Sequence, residues 1–390
     1  MAIVKKLGII SITLIFLFLN PARGFTAIRT GVAISLTGKY EKPGNMVCLG
    51  YKLWEKEVNE RGGLLGEKVK LIIFDDESDA EKSFSLYSKL IKEEKVDLVL
   101  SPYSSSITYK VSRVTEIYHY PMLVAGASDP HIWLRGYKYL FGMYALADRY
   151  FMGFLDIVAE YGFQKLVVVT EKDRFPLSAA EGIEKWSERF GLKVLDTIVY
   201  PKGRPDFVSI VAKIKKLAPD AMVLCAYPDD VYALMDSMKR AKYRPRAFAA
   251  TIAPTFKDFG LRLGKDAEGV FGPSQWEANT RIPFPGTKKF IKSFKEFTKL
   301  TPTYHAASGY AACEILEKSI NKVGAKDREK IASAISQMDT YTVLGRFRVD
   351  DRGIQVGHSP ITIQWQNGKR EIIWPRRMQT ANPIFPVWYK

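Results

Sequence analysis

Cysteine and histidine are scarce in this sequence. Its 390 residues include only three cysteines, and its four histidines stand at no metal-ligand spacing. The number of cysteines is odd, and each lies inside an apolar segment, which argues against a disulfide framework. We therefore expect Cys48, Cys225 and Cys313 to be buried free thiols, and we expect neither a bound metal nor a cofactor.

Glycine and proline are not abundant either, and no low-complexity stretch occurs. The chain has 28 Gly and 20 Pro, with 47% hydrophobic and 26% charged residues. These proportions exclude collagen, a disulfide-stabilised miniprotein and a chain that is mainly disordered. At roughly 150 residues per domain, the length predicts two or three domains with a substantial core.

Acidic residues are too few to balance the basic ones. The chain has 58 Lys and Arg against 42 Asp and Glu, a formal net charge of +16. Such an excess favours acidic partners, for example nucleic acid or an anionic membrane surface. The basic residues are scattered over the polar faces of amphipathic segments, however, and no run of five occurs. We therefore predict no nucleic-acid partner.

Only one long hydrophobic run is present, and it opens the chain. Two lysines precede the apolar residues 7–19, and the small residues Ala22 and Gly24 stand at positions −3 and −1 of a cleavage site after Gly24. This pattern is typical of a secretory signal peptide, which we place at residues 1–24, with cleavage at Ala27 as a nearby alternative. An uncleaved anchor is the other interpretation, but the run is short for a bilayer span of about 20 residues. We therefore expect export from the cytoplasm.

Short apolar strands alternate with helical segments in two successive blocks, with no Gly/Ser-rich linker between them. Alternation of this kind predicts βαβ units, so each block should form a parallel sheet. A third region is helical and then ends in a strand hairpin that turns at Asn367–Gly368, a strong hairpin signal. The strands are predicted at 28–36, 69–76, 97–102 and 121–127 in the first block and from 139–144 to 269–275 in the second.

Hydroxyl and small residues cluster at the ends of two predicted strands, in segments 101–106 and 125–130. Ligands of open α/β sheets bind beyond the carboxyl ends of the strands. A helix is predicted to begin near Ser105, and its free N–H groups and dipole favour an anion. Gly126 and Ala127 allow close approach to the backbone. The pattern predicts a carboxylate site without a cationic side chain; simple helix capping by serine is the alternative.

The second block offers candidates for the other end of a ligand. Asp229 or Asp230 could hold an ammonium group or merely cap a helix, and Trp276 could form a flat wall over a ligand or belong to the core. Enzyme signatures are missing: the sequence contains no G-x-S-x-G, G-x-G-x-x-G, phosphate-binding loop or H-E-x-x-H motif. A binding protein is therefore favoured over an enzyme.

Taken together, several segments resemble the extracytoplasmic solute-binding proteins of ABC importers, in the branched-chain amino-acid (Leu/Ile/Val) binding family. The resemblance covers about residues 28–375, and the N-x-x-G-G-x-x-G stretch and the serine run together make it specific. The matching segments are 31–38, 58–66, 75–79, 96–106, 121–128, 266–270 and 304–310.

This resemblance implies a type I periplasmic-binding fold, in which two doubly wound α/β lobes are joined by three strand crossovers. The lobes would comprise 28–146 with 277–345, and 147–276 with 346–380. The implied protein is a periplasmic monomer without enzymatic activity. It would bind a small carboxylate-bearing solute between its lobes and deliver it to an ABC permease and ATPase complex at the inner membrane.

The resemblance also implies roles for individual residues. Ser105, Gly126 and Ser128, with Ala127 beside them, would hold the ligand carboxylate, Phe175 would cover the ligand, and Asp229 would take an amine. Further candidates for the walls of the site are Tyr40, Tyr103, Tyr144, Tyr227 and Trp276. The segment 227–229 departs from the acidic segment of the leucine binders, so an aromatic carboxylate or an amide is an alternative to an amino acid. An aromatic acid without an amine would leave Asp229 unused.

Two other functions are compatible with the same sequence. A ligand sensor of this fold would need a separate receptor, because no output segment is evident. A secreted α/β hydrolase would need a Ser/His/Asp set, and we find none at the predicted strand ends. The sequence also leaves open whether the tail from residue 376 packs against the second lobe.

Overall fold

Two α/β lobes, each built on parallel strands wound in the same order, organise the chain. The computed structural model describes residues 27–386 except 204 and 280, so the predicted signal peptide lies outside the described residues. The strands are β1 (Ile28–Ile34), β2 (Val69–Asp75), β3 (Leu98–Val99), β4 (Met122–Val124), β5 (Leu140–Gly142), β6 (Lys165–Glu171), β7 (Lys193–Tyr200), β8 (Ala221–Cys225), β9 (Ala247–Ala250), β10 (Val270–Ser274), β11 (Thr340–Thr342), β12 (Gly345–Phe347), β13 (Ile361–Gln366) and β14 (Lys369–Trp374). The helices are α1 (Glu41–Glu60), α2 (Ala80–Lys92), α3 (Ser105–Ile117), α4 (Met152–Glu160), α5 (Arg174–Ser187), α6 (Phe207–Leu217), α7 (Pro228–Arg240), α8 (Lys257–Leu263), α9 (Thr287–Thr298), α10 (Tyr304–Val323) and α11 (Arg328–Ser336).

The first lobe contains β1–β5 in two parallel pieces, a sheet of order β2-β1-β3 and a separate pair β4-β5. The sequence predicts one continuous sheet, whereas no ladder joins the described residues of β3 to those of β4. Pro102, three residues beyond β3, has no N–H with which to extend a ladder towards β4. The hydroxyl of Ser101 instead accepts a hydrogen bond from the Ala125 amide (2.8 Å), and the Ser104 amide donates to the Gly126 carbonyl (3.1 Å).

The second lobe contains one sheet of order β7-β6-β8-β9-β10-β13-β14. Its five parallel strands repeat the winding of β2-β1-β3-β4-β5, and β13 and β14 add the predicted hairpin at the edge. Asn367 and Gly368 at its turn have φ angles of 52° and 70°, the left-handed conformation that a two-residue hairpin turn requires. Both lobes are therefore doubly wound α/β structures, as predicted.

The chain crosses between the lobes three times. The helices α9–α11 and the small β11–β12 hairpin return to the first lobe, and β13–β14 return to the second. The crossing segments are 143–151, 275–286 and 348–360, and the first two are in contact: the Ala145 amide donates to the Gln275 side chain (3.1 Å). The element order agrees with the predicted division of the chain, whose residue boundaries stay a prediction.

The remaining sequence expectations concern the thiols, the tail and membrane spans. Cys48, Cys225 and Cys313 are buried and free, as predicted. The tail packs on the second lobe as far as Phe385, whose ring lies 4.9 Å from that of Phe163 between centroids. Among the described residues, no helix combines the length and apolarity needed to cross a membrane.

Helices α1 and α10 pack so closely that they need glycine at the contact. A Cβ atom on Gly50 would lie 2.3 Å from the Ala306 carbonyl oxygen, and one on Gly309 would lie 2.4 Å from the Val47 carbonyl oxygen. Backbone meets backbone at both points, so no side chain can move aside. This contact fixes α10, and with it Tyr304 at its first turn, against the first lobe.

We predict that Gly50→Ala destabilises the protein by about 1–3 kcal/mol, because the added methyl overpacks the contact. In an open helix the same change would stabilise by about 0.5–1 kcal/mol. Urea unfolding measures the difference, with the exposed Lys52→Ala on the same helix as a control expected to stay within about 0.5 kcal/mol of the wild type. A Gly50→Ala variant as stable as the wild type would contradict the packing described here.

Candidate functional site

A small cavity lies where the carboxyl ends of the two sheets face each other. Its free volume is about 10 Å³, room for about one water molecule, because the lobes are closed upon it. Both lobes and α10 contribute to the wall. The lining residues are Tyr103, Ser104, Ser105, Gly126, Ala127, Ser128, Tyr144, Tyr150, Phe175, Tyr227, Ile252 and Tyr304.

The N-terminus of α3 supplies the polar end of this cavity. Ser104 caps the helix by accepting a hydrogen bond from the Ile107 amide (3.2 Å). The hydroxyl oxygen of the buried Ser105 accepts from the amides of Ser128 and Asp129, both at 3.2 Å. These two bonds occupy its lone pairs and leave the hydroxyl proton to donate. The arrangement is a helix N-terminus with an added donor, which suits an anion.

Gly126 is needed here for a second reason, besides the close backbone approach expected from the sequence. A Cβ atom at this position would lie 2.8 Å from Cδ2 of Tyr103 and 3.0 Å from the Pro102 carbonyl oxygen. The missing side chain therefore lets Tyr103 pack against the end of β4. Gly126 shapes the cavity by placing this ring, as well as by exposing backbone.

Aromatic rings form most of the remaining wall. The ring of Phe175, at the start of α5, lies 5.4 Å from Tyr150 and 6.0 Å from Tyr227 between centroids. Tyr144 and Tyr304 meet edge to face at 5.5 Å on the other side. Such contacts hold the rings in place. Their faces give the cavity flat apolar surfaces, to which the tyrosine hydroxyls add polar atoms.

The structure brings together most of the residues predicted from the sequence. Ser105, Gly126, Ala127, Ser128, Tyr103, Tyr144, Phe175 and Tyr227 all line the cavity. Sequence reasoning missed Ser104, Tyr150, Ile252 and Tyr304. Of these, Tyr304 stands in a matching segment of the family resemblance, which could have marked it.

Three predicted residues lie elsewhere. Tyr40 stands behind the wall, with its ring 4.6 Å from that of Tyr227. Asp229 is exposed in the first turn of α7 and is absent from the described lining. Trp276 is fully buried in the core, where its ring meets Phe290 at 5.8 Å. The core alternative for Trp276 fits its position, whereas Asp229 lies in the first turn of α7 and no described side chain caps that helix.

Beside the cavity, Asp173 of the second lobe accepts hydrogen bonds from the first lobe. Tyr40 donates its hydroxyl at 2.8 Å and Ser106 donates at 2.5 Å. Asp173 also begins α5, where its carboxylate accepts from the Arg174 amide. Burial opposes its ionisation, but the hydrogen bonds from Ser106, Lys202 and Tyr40 prevail and lower the pKa of this carboxyl. Asp173 is therefore a stable anion that joins the lobes.

Asp129 forms the reciprocal contact from the first lobe. Its carboxylate accepts from the hydroxyl of Ser178 (2.7 Å) and from the guanidinium of Arg174 (3.3 Å), both on α5. The same guanidinium lies 3.4 Å from the ring centroid of Tyr109 in the first lobe. Asp129 is 1% exposed, so these bonds are shielded from water. Both neighbouring charges of the second lobe, the Asp173 carboxylate and the Arg174 guanidinium, thus contact side chains of the first lobe.

His305 supports the wall from behind as a neutral side chain. It lies within 3.3 Å of the Tyr103 hydroxyl and stacks on Phe256 of the second lobe at 5.5 Å. Burial lowers its pKa to about 3. At neutral pH it therefore positions rings without adding a charge.

Two lining residues have a backbone conformation that side chains disfavour. Ser104 has φ 83° and ψ 148°, and Ile252 has φ 56° and ψ −62°. The Ile252 turn is closed on both sides: the Ala253 amide donates to the Thr251 carbonyl (2.6 Å), and Thr255 donates its hydroxyl to the Ile252 carbonyl (2.7 Å). Strained residues of this kind persist where the surroundings determine them, often at binding sites.

We predict that Ile252→Gly is more stable than Ile252→Ala by about 1–3 kcal/mol, because glycine relieves the strain and alanine does not. The order is the reverse of the usual one, in which alanine exceeds glycine by about 0.4–1 kcal/mol. Thermal unfolding of both variants measures the difference. Ala253→Gly, at the next residue, is the control and should follow the usual order. An alanine variant at least as stable as the glycine variant would contradict the strain.

Comparisons with known proteins agree with this architecture. A homolog of the Leu/Ile/Val-binding proteins from Brucella suis biovar 1 is 23% identical, over 94% of this chain and 96% of its own. A leucine-binding protein from Thermotoga maritima MSB8 superposes with a TM-score of 0.81 at 20% identity, covering 89% of this chain and 98% of that one. A solute-binding protein of an ABC transporter from R. palustris, in complex with benzoate, gives a TM-score of 0.79 at 20% identity, covering 89% and 96%.

These structures confirm the predicted type I periplasmic-binding fold. The family model described as periplasmic binding protein matches residues 27–370, which is most of the sequence. The family and the fold are those of solute-binding proteins rather than enzymes. The chain therefore belongs to the periplasmic binding protein family.

Proposed function

We propose that this protein is the solute-binding component of an ABC importer and binds a small carboxylate-bearing solute in the cavity between its lobes. The observation that carries the proposal is the Ser105 hydroxyl, buried at the N-terminus of α3 with both lone pairs used and its proton free. The solved structures support a small ligand with a carboxylate, since one is a leucine-binding protein and another holds benzoate.

The carboxylate is proposed to lie against Ser105, Ser128 and the first amides of α3. The helix dipole and N–H groups stabilise a negative charge there without a cationic partner. The rings of Phe175 and Tyr227 then cover the remainder of the solute from the second lobe. Because the free volume of about 10 Å³ is smaller than such a solute, the lobes must part to admit it and then close around it less tightly than in this structure.

Closure is the proposed means of signalling occupancy. A solute that contacts both lobes only in the closed form shifts the population towards that form. The three crossing segments 143–151, 275–286 and 348–360 are the hinge. We propose that the protein is exported to the periplasm and that a permease and ATPase complex at the inner membrane recognises the closed form of the monomer.

We predict that Ser105→Ala weakens carboxylate binding by about 1.5–3 kcal/mol, the usual value of a hydrogen bond to a charged group. Isothermal calorimetry with isocaproate, hydrocinnamate, L-leucine and L-phenylalanine measures the loss for whichever acid binds the wild type. Ser319→Ala is the matched control, because it removes a buried serine hydroxyl from a different helix, α10. This variant should bind as the wild type does. Unchanged affinity of Ser105→Ala, or no binding of any acid by folded wild type, would contradict the proposal.

A further inference from the structure

We propose that the solute is a carboxylate without an ammonium group, with an apolar or aromatic remainder, rather than an α-amino acid. This inference rests on the proposed function and specifies its ligand class. It follows from the charges around the cavity, which provide for an anion at one end and leave a cation at the other end without a partner.

The cavity wall carries no charged side chain among the residues described as lining it. Those twelve residues are tyrosines, serines, small residues, one phenylalanine and one isoleucine. An ammonium group enclosed in such a wall loses its water and gains only ring faces and hydroxyl groups in return, a weaker compensation than a carboxylate would give. That loss is costly for an unpaired ion, whereas an apolar group in the same place gains from burial against the rings.

The buried carboxylates nearest the cavity already have cationic partners. Asp129 is paired with Arg174, and Asp173 with Lys202 (2.9 Å). Glu171 is paired with Lys39 through one oxygen, and its other oxygen is buried without a hydrogen bond among the described residues. Glu171 does not line the cavity, and burial raises its pKa despite the lysine. None of the three is placed to receive a ligand ammonium.

The two acids at the start of α7, Asp229 and Asp230, do not line the cavity either. Asp229, the residue that the family resemblance assigns to an amine, is exposed. Asp230 accepts a hydrogen bond from the Tyr200 hydroxyl (2.9 Å), on the side of the sheet edge. The two acids therefore lie in the segment where the family resemblance places an amine-binding residue, but the fold does not bring either of them into the cavity wall.

The charges behind the Tyr227 wall are already paired with one another. The Lys39 ammonium lies 4.7 Å from the ring centroid of Tyr227; it is paired with Glu171 and lies 3.7 Å from Asp173, which Lys202 also contacts. Two carboxylates therefore have two ammonium partners, and this cluster offers no unpaired negative charge to a ligand ammonium. The wall and the groups behind it together favour a ligand whose covered end is neutral.

Calorimetry with matched pairs of acids tests this inference on the mature protein. Isocaproate is L-leucine without its amino group, and hydrocinnamate is L-phenylalanine without its amino group. In each pair that binds, we expect the deaminated acid to bind about tenfold or more tightly than the amino acid. Isoamylamine, which keeps the ammonium and lacks the carboxylate, should not bind.

The outcomes separate this inference from the proposed function. Equal or tighter binding of the amino acids would overturn the inference and leave the carboxylate site standing. Binding of isoamylamine without any of the acids would overturn both, as would the absence of binding by all four acids. Asp229→Asn provides a second measurement: we expect its affinity for each acid to equal the wild type, and a selective loss of amino-acid binding would overturn the inference.

Discussion

The closed arrangement of the two lobes depends on two buried aspartates, one in each lobe. Each accepts hydrogen bonds from side chains of the opposite lobe. Asp129 of the first lobe accepts from Ser178 and Arg174, and Asp173 of the second accepts from Tyr40 and Ser106. Removing one partner from a buried charged pair is costly because the remaining charge is left without compensation. The two aspartates stand at strand ends on either side of the cavity, so lobe contact and ligand site share one location.

The serine run of α3 connects these contacts with the proposed ligand. Ser105 holds the amide of Asp129, and the next residue, Ser106, donates to Asp173. A carboxylate bound to the Ser105 proton therefore lies one residue from each contact between the lobes. This short path explains how occupancy of a small cavity can stabilise the closed form of a protein with two large lobes.

Much of the fold could be predicted from the sequence because it is encoded locally. Alternating strands and helices identified both sheets, Asn367–Gly368 identified the hairpin, and the strand ends identified Ser105 and Ser128. The remainder depends on tertiary geometry. Tyr150 reaches the cavity from a crossing segment, and Ile252 reaches it from a strained turn. Neither position belongs to a periodic sequence pattern that could have predicted it. Asp229 has the carboxylate expected to bind an amine, but its position at the start of α7 leaves it exposed. Trp276 is buried in the core.

The central claim is that a carboxylate binds at the N-terminus of α3 between the closed lobes. A crystal structure of the protein, grown with the tightest binding member of the four acids, tests it most directly. The account predicts a carboxylate oxygen within hydrogen-bonding distance of Ser105 Oγ, with Phe175 and Tyr227 over the rest of the ligand. A carboxylate bound instead at Lys39, or a ligand outside the cavity, would contradict it.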